Sequence, residues 1–236
     1  MATNKLVTPL LTDLYQITMI YAHWKNNRHM EEAVFELYFR KNPFQGGYTI
    51  FAGLDECVKY LSNFKFTKSD LDYLQNDVPA LTHCDPRFFN DYLANLDCSS
   101  LQIFALNEGT VAFPNLPLIT VVGPLGIAQL VETTLLNLVN FPSLVATNAC
   151  RMVLASKSNE NIFARDERNH KILLAEFGLR RSQGPDGGFT ASKYSFLGGF
   201  DATSNVQAGK ILGIPIIGKF QILLSPMILM YVFLYG

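Results

Sequence analysis

The sequence predicts an α/β protein: an N-terminal α+β domain followed by the first strands and helices of an incomplete TIM-like α/β barrel. Three observations carry this. Up to residue 141, short apolar runs broken by Gly and Pro lie among amphipathic helical stretches, the pattern of an α+β fold with antiparallel strands. Beyond it, strand-like and helix-like segments alternate, the rhythm of parallel βαβ units. Only about three such units fit before residue 218, whereas a closed barrel needs about eight. The domains are therefore drawn at 1–141 (α+β), 142–218 (barrel start) and 219–236 (an apolar tail).

Each element has a local reason. Leu10, Leu14, Ile17, Tyr21 and Trp24 recur at helical spacing. Residues 33–40 alternate, with Phe35, Leu37 and Phe39 on one face and Glu36, Tyr38 and Arg40 on the other, as in a half-buried strand. Asn42-Pro43 and Gln45-Gly46-Gly47 punctuate the loop that follows. Leu54, Cys57, Val58 and Leu61 mark a second helix, and Thr67 with Asp70 three residues on reads as the capped start of a third. Residues 87–96 read as a helical piece. Residues 101–106, 110–113 and 118–122 read as short strands. Residues 127–141 and 143–156 read as two helices parted by Pro142, and 158–170 as a polar loop. The barrel rhythm then runs: strand 172–177, helix 186–197, strand end 199–201, helix 203–212, strand 214–217.

Composition excludes several classes. With 49% hydrophobic and 17% charged residues, the chain is core-forming rather than disordered. A net charge of −1 argues against an electrostatic nucleic-acid binder. Cys57, Cys84, Cys98 and Cys150 are far apart and form no Cys-x-x-Cys pair. They read as buried thiols in a reducing cytosol, with no metal site. His23, His29, His83 and His170 match no catalytic pattern. The N-terminus lacks a signal-peptide pattern. Residues 220–236 are apolar at 13 of 17 positions and carry no charge. A membrane span needs about 20 such residues. Extending back to that length takes in Gly213, Pro215, Gly218 and Lys219, so no membrane association is expected. The tail is expected to add no defined fold.

Candidate chemistry concentrates at 176–209, EFGLRRSQGPDGGFTASKYSFLGGFDATSNVQAG. Arg180 and Arg181 follow an apolar strand, and barrel chemistry sits at C-terminal strand ends. Two guanidiniums there could hold a carboxylate and a phosphate; they could equally solvate a loop. Asp201 precedes Thr203 and Ser204 at a candidate helix start. Such a start can bind an anion, and ordinary N-capping by Asp201 or Thr203 explains it as well. The QGPDGG run is a turn first and a ligand loop second. Arg40 and Lys41 just past a strand are phosphate-binding candidates, or an exposed basic turn.

FGLRR, QGPDGG, SKYS, GGFD and TSNV-AG, together with LLTDLYQ at 10–16 and RKNPF at 40–44, resemble nicotinate phosphoribosyltransferase over residues 10–218. The resemblance implies formation of nicotinate mononucleotide from nicotinate and phosphoribosyl pyrophosphate in NAD biosynthesis. ATP serves as co-substrate and Mg²⁺ (or Mn²⁺) as cofactor. It implies that Tyr15 and Phe177 sandwich the pyridine ring, and that the first-helix aromatic comes from a neighbouring subunit. A cytoplasmic homodimer with shared sites follows. On this resemblance Tyr15, Phe177, Arg180, Arg181, Asp201, Thr203 and Ser204 are substrate-binding and Arg40 and Lys41 phosphate-binding. The family pattern would place a phosphorylatable His just past Gly218, where this chain has Lys219-Phe220-Gln221. No catalytic residue is therefore identified, and the expectation is a C-terminally truncated or alternatively spliced form, inactive alone. Three other readings stand beside it: a non-catalytic fragment that dimerises with and regulates a full-length subunit, a tail-anchored protein, and a nicotinamide-specific relative. The second arginine favours an acid substrate over the last.

Overall fold

The structure, a computed structural model, describes residues 4–158 and 172–218, and the backbone of 229–232. It divides into two compact units. The first comprises residues 1–40, 53–106 and 115–140; the second comprises 41–52, 107–114 and 141–236.

In the first unit, α1 (Leu14–Lys25) precedes β1 (Glu32–Leu37). β5 (Ile119–Pro124) runs antiparallel between β1 and β3 (Gln102–Ala105), with Ile119 opposite both Leu37 and Ala105. The alternation in β1 is as the sequence predicts: Ala33, Phe35 and Leu37 are half-buried while Glu32, Val34 and Glu36 are exposed. Ile17 and Ile20 of α1 are buried, and Tyr21 and Trp24 pack on Phe88 with ring centroids 5.2 and 5.6 Å away.

Two further helices belong to this unit. α2 (Leu54–Ser62) buries Cys57 and Tyr60, a stripe continued by Phe64, whose ring meets Tyr60 edge-on. Val58, expected on that stripe, is 50% exposed. α3 (Lys68–Asn76) begins with the expected capping box. Thr67 N donates to Asp70 Oδ2 (2.8 Å) and Asp70 N to Thr67 Oγ1 (3.2 Å), which satisfies two N-terminal amides. Residues 88–95 are not a plain α-helix. A π-turn (Phe88–Tyr92) leads into a 3-10 turn (Leu93–Asn95). Phe88 and Phe89, adjacent in sequence, are both buried there.

The long helical region departs from the sequence reading. α4 (Leu125–Leu130) is followed by one continuous helix, α5 (Glu132–Ser158), with Pro142 inside it. Pro142 has no N–H to offer the carbonyl of Leu138. Gly53 packs at that carbonyl: a Cβ on Gly53 would lie 2.1 Å from Leu138 O. Residues 125–157 are also long and apolar enough to cross a membrane by length and composition alone. Leu130, Val131, Leu135, Val139, Val145, Ala146 and Ala149 are buried in the protein, which makes this a core helix.

In the second unit, β2 (Thr49–Ile50) pairs antiparallel with β4 (Val111–Ala112). Its other side is served by hydroxyls of α5. Thr147 Oγ1 accepts from Ile50 N (2.8 Å), and Ser143 Oγ accepts from Ala52 N and donates to Ala52 O, both at 3.1 Å. A helix face one turn long thereby stands in for a neighbouring strand.

The βαβ rhythm appears as predicted. β6 (Leu173–Glu176), α6 (Gly184–Leu197), β7 (Ala202–Thr203) and α7 (Val206–Leu212) follow in order. β6 and β7 are parallel, with Glu176 opposite Thr203. Thr203 also bridges Ile216 in parallel, where the sequence predicts a third strand. Ala149, Leu174 and Phe200 form one core cluster, and Ala175, Ala202 and Ile217 another. α7 starts later than expected, because Thr203 is drawn into strand pairing and Asn205 is the N-cap. Its Oδ1 accepts from Ala208 N at 3.2 Å. The helix α6 absorbs the GPDGG run instead of following it as a turn.

The tail expectation is corrected in part. Within 219–236, Leu229–Val232 forms β8, parallel to β6 on the side away from β7, with Leu173 opposite Leu229 and Glu176 opposite Val232. An open β6 edge presents unpaired amides and carbonyls that such a strand can take up. The rest of the tail, including Lys219–Gln221, lies outside the described residues, as does 159–170 of the expected polar loop.

Candidate active site

The site is built where β6 and β7 end side by side. Past Glu176 the chain turns at Phe177-Gly178 into a 3-10 turn, Leu179–Arg181, closed by Arg181 N donating to Gly178 O (2.8 Å). Arg180 and Arg181 are both exposed on this turn. Phe177 is half-buried, packed beside Ala175, Ala202 and Ile217. The turn is held close to α6. A Cβ on Gly188 would lie 2.7 Å from both Leu179 Cδ1 and Ser182 Oγ. A Cβ at Gly188 would displace the Leu179 and Ser182 side chains.

The β7 side is tied to the same place. Ser204 N donates to Glu176 O (2.9 Å), and Ser204 is half-buried. Thr203 is fully buried, its hydroxyl donating to Glu176 Oε2 (2.8 Å) and accepting from Asn205 N (3.0 Å). Asp201 sits at the opposite end of β7. Its Oδ2 accepts from Leu174 N (3.0 Å) while its own N–H donates to Leu174 O (2.8 Å). One carboxylate oxygen of Asp201 thus extends the strand ladder backwards. The structure therefore gathers Phe177, Arg180, Arg181, Thr203 and Ser204 around two adjacent strand ends, and sets Asp201 two residues upstream.

Sequence reasoning missed the residue at the centre. Glu176 is 1% exposed, and both of its carboxylate oxygens are engaged. Oε1 accepts from Gly178 N in a short hydrogen bond, and Oε2 accepts from Ser192 Oγ (2.9 Å) as well as from Thr203. Ser192 in turn accepts from Asn205 Nδ2 (3.2 Å). A buried carboxylate is tolerated because every lone-pair direction used here meets a donor. The available signal was the acid itself: Glu176 interrupts the apolar run ILLAEF, where a strand buried on both faces has no room for solvated charge.

Lys41 belongs to the second unit and Arg40 to the first; both are exposed. The turn after Lys41 is clamped by Arg151 of α5, whose Nη1 donates to Phe44 O (3.2 Å) and whose guanidinium lies 5.3 Å from the Phe44 ring centroid. Phe44 and Gln45 both adopt positive φ, 56° and 52°, a conformation that costs non-glycine residues about 1–2 kcal/mol each. A Cβ on Gly46 would lie 2.8 Å from Arg151 Nη1. Tyr15, on α1 of the first unit, is 47% exposed, and its hydroxyl accepts from Gln16 Nε2 (2.7 Å). Among the described residues no group of three His, Cys, Asp or Glu side chains could hold a metal ion.

The family profile of the nicotinate phosphoribosyltransferase (NAPRTase) N-terminal domain matches residues 10–140. Nicotinate phosphoribosyltransferase 2 of Arabidopsis thaliana is 56% identical over 217 residues, which is 92% of this chain and 36% of the relative. Nicotinate phosphoribosyltransferase of Caenorhabditis elegans is 55% identical over 215 residues, 91% of this chain and 36% of the relative. The crystal structure of human nicotinic acid phosphoribosyltransferase superposes with a TM-score of 0.76 at 47% identity, covering 89% of this chain and 39% of that one. The chain thus spans 36% of the length of these curated relatives. A profile match over more than half of the chain, joined to identities above one half across nine-tenths of it, places this protein in the nicotinate phosphoribosyltransferase family.

Proposed function

We propose that this chain carries nicotinate-binding machinery of a nicotinate phosphoribosyltransferase, which joins nicotinate to phosphoribosyl pyrophosphate to give nicotinate mononucleotide in NAD biosynthesis, with ATP hydrolysis driving the reaction. The observation that carries the reading is the placement of Arg180 and Arg181 on an exposed turn directly beyond a parallel strand, in a chain of this family. In this reading β6–α6–β7 opens an α/β barrel, and the chemistry lies at its C-terminal strand ends.

The residues divide the work by their chemistry. A pyridine ring needs an aromatic face, and Phe177 at the strand end offers one. The ring carboxylate needs a fixed cation, and a guanidinium meets it with two parallel N–H bonds. The second arginine of the pair favours an acid over an amide substrate, because a neutral amide gains little from it. Departure of pyrophosphate builds negative charge that basic side chains of the second unit, Lys41 and Arg180 or Arg181, would offset. Mg²⁺ would supply further charge neutralisation at the pyrophosphate. Tyr15 is exposed on α1 and available to a neighbouring subunit, which supports a homodimer with shared sites. Free thiols at Cys84, Cys98 and Cys150 support a reducing, cytosolic setting.

Calorimetry with nicotinate and nicotinate mononucleotide tests the reading. Arg180→Ala and Arg181→Ala should each weaken binding by about 1.5–3 kcal/mol, the loss of a charge-assisted hydrogen bond, or roughly ten- to 150-fold. Unchanged affinity in both variants would remove the arginine assignment. Absence of binding by the unmodified chain would remove the reading for this chain altogether.

A further inference from the structure

We propose that Glu176 is the positioning residue of this site. One buried carboxylate sets the Gly178–Arg181 turn through Oε1 and the Thr203–Asn205 turn through Oε2, so the two turns hold a single relative geometry. The inference rests on the proposed function only for the identity of the ligand.

Hydrogen-bond polarity links the two turns. Both carboxylate oxygens of Glu176 act as acceptors here. Every neighbour of Glu176 must therefore present a hydrogen to it: Gly178 N–H on one oxygen, the Ser192 and Thr203 hydroxyls on the other. Once the Thr203 hydrogen points at Glu176, its lone pairs are free for Asn205 N (3.0 Å). Ser192 likewise offers a lone pair to Asn205 Nδ2 (3.2 Å). Asn205 is then gripped by backbone and side chain, and its Oδ1 faces Ala208 N to start α7. The path runs from the arginine turn through Glu176 to Thr203 and Ser192, and on to Asn205. Beyond the exposed arginine turn these groups are buried, with Glu176 1%, Ser192 1%, Thr203 0% and Asn205 4% exposed. Water cannot readily substitute for a lost partner, so loss on one side is felt on the other.

A carboxylate that merely filled core space would not couple the two turns. Ser192→Ala tests this, because the Ser192 hydroxyl bonds to Glu176, Gly188, Thr203 and Asn205 rather than to the Gly178 amide, and the substitution removes only one heavy atom. Amide hydrogen exchange is read at Gly178 and at Asn205 in the whole chain. Loss of a buried hydrogen bond should raise exchange at both amides by roughly tenfold or more. Glu176→Ala should do the same. Glu176→Gln keeps an acceptor for Gly178 N, and its amide can donate to Thr203 while the hydroxyl hydrogens turn to Ser192 and Gly188, so it should restore both amides to within about threefold of wild type. Nicotinate mononucleotide affinity should follow the same order: wild type, then Gln, then Ala. A rise confined to Asn205 in Ser192→Ala, with Gly178 unchanged, overturns the coupling; so does a Gln variant as loose as Ala. Should Glu176→Ala not fold, Ser192→Ala and Glu176→Gln still decide. If the wild type fails to bind nicotinate mononucleotide while exchange at the two amides moves together, the ligand assignment fails and the positioning role stands.

Discussion

The GGFD motif combines two glycines with different physical reasons, and substitution separates them. Gly198 caps α6 with an ordinary φ of −72°, so any L-residue suits its backbone. Space does not: a Cβ there would lie 2.6 Å from Ala146 O, 2.6 Å from Ala149 Cβ and 3.2 Å from Cys150 N. Two of these are backbone atoms of α5 and cannot swing aside. Gly199 is the reverse case. Its φ is +103°, while the nearest atom to an added Cβ is Val153 Cγ2 at 3.3 Å. Gly198→Ala should therefore cost about 1–3 kcal/mol by overpacking, with the cost growing from Ala to Val. Gly199→Ala should cost about 1–3 kcal/mol by backbone strain, with Ser no worse than Ala. Equilibrium urea denaturation of the single variants measures both. A double-mutant cycle adds the deciding term: Ala149→Gly removes one of the clashing atoms, so it should recover about 0.5 kcal/mol or more of the Gly198→Ala loss. A Gly198→Ala variant within about 0.5 kcal/mol of wild type, or no coupling to Ala149→Gly, would refute the steric reasoning. The consequence reaches the site, since this crossing sets where Asp201 and β7 leave the helix.

Two further outcomes follow from the same packing. Burial pushes the His29 imidazole below its ordinary value of 6.5. The unfolded chain then binds more protons than the folded one below that pH, so this contribution is complete above pH 6.5 and is lost as pH falls toward the folded-state value; the urea midpoint of wild type should drop between pH 7.5 and 5.5 by more than that of His29→Gln, and equal drops would remove His29 as a source. Deleting residues 219–236 should raise hydrogen exchange at the β6 amides on the side where Leu173–Glu176 pair with Leu229–Val232, and unchanged exchange would show that β8 adds nothing to that edge.

Periodicity and capping chemistry were legible because they are local. The Thr67–Asp70 box, the alternation in β1 and the parallel β6–β7 pair each follow from a few neighbouring residues and a fixed geometric period. Pro142 was misread because the local rule is incomplete. Proline removes a donor, but the helix continues where the backbone of Gly53 can lie against the affected turn, and that partner is 89 residues away in sequence. Distance along the chain also hid the Asn205 cap and the tail strand, since both depend on which strand takes up Thr203 and which edge of β6 is open. The site divides the same way. Arg180 and Arg181 announce themselves as paired charges after an apolar run. Glu176 does not, because a buried acid has the same letter as an exposed one, and only the three donors converging on it reveal its role. A motif can therefore single out candidate ligand residues while leaving unread the one proposed to hold their turn in place. In this chain that residue lies inside the strand, directly before the FGLRR motif.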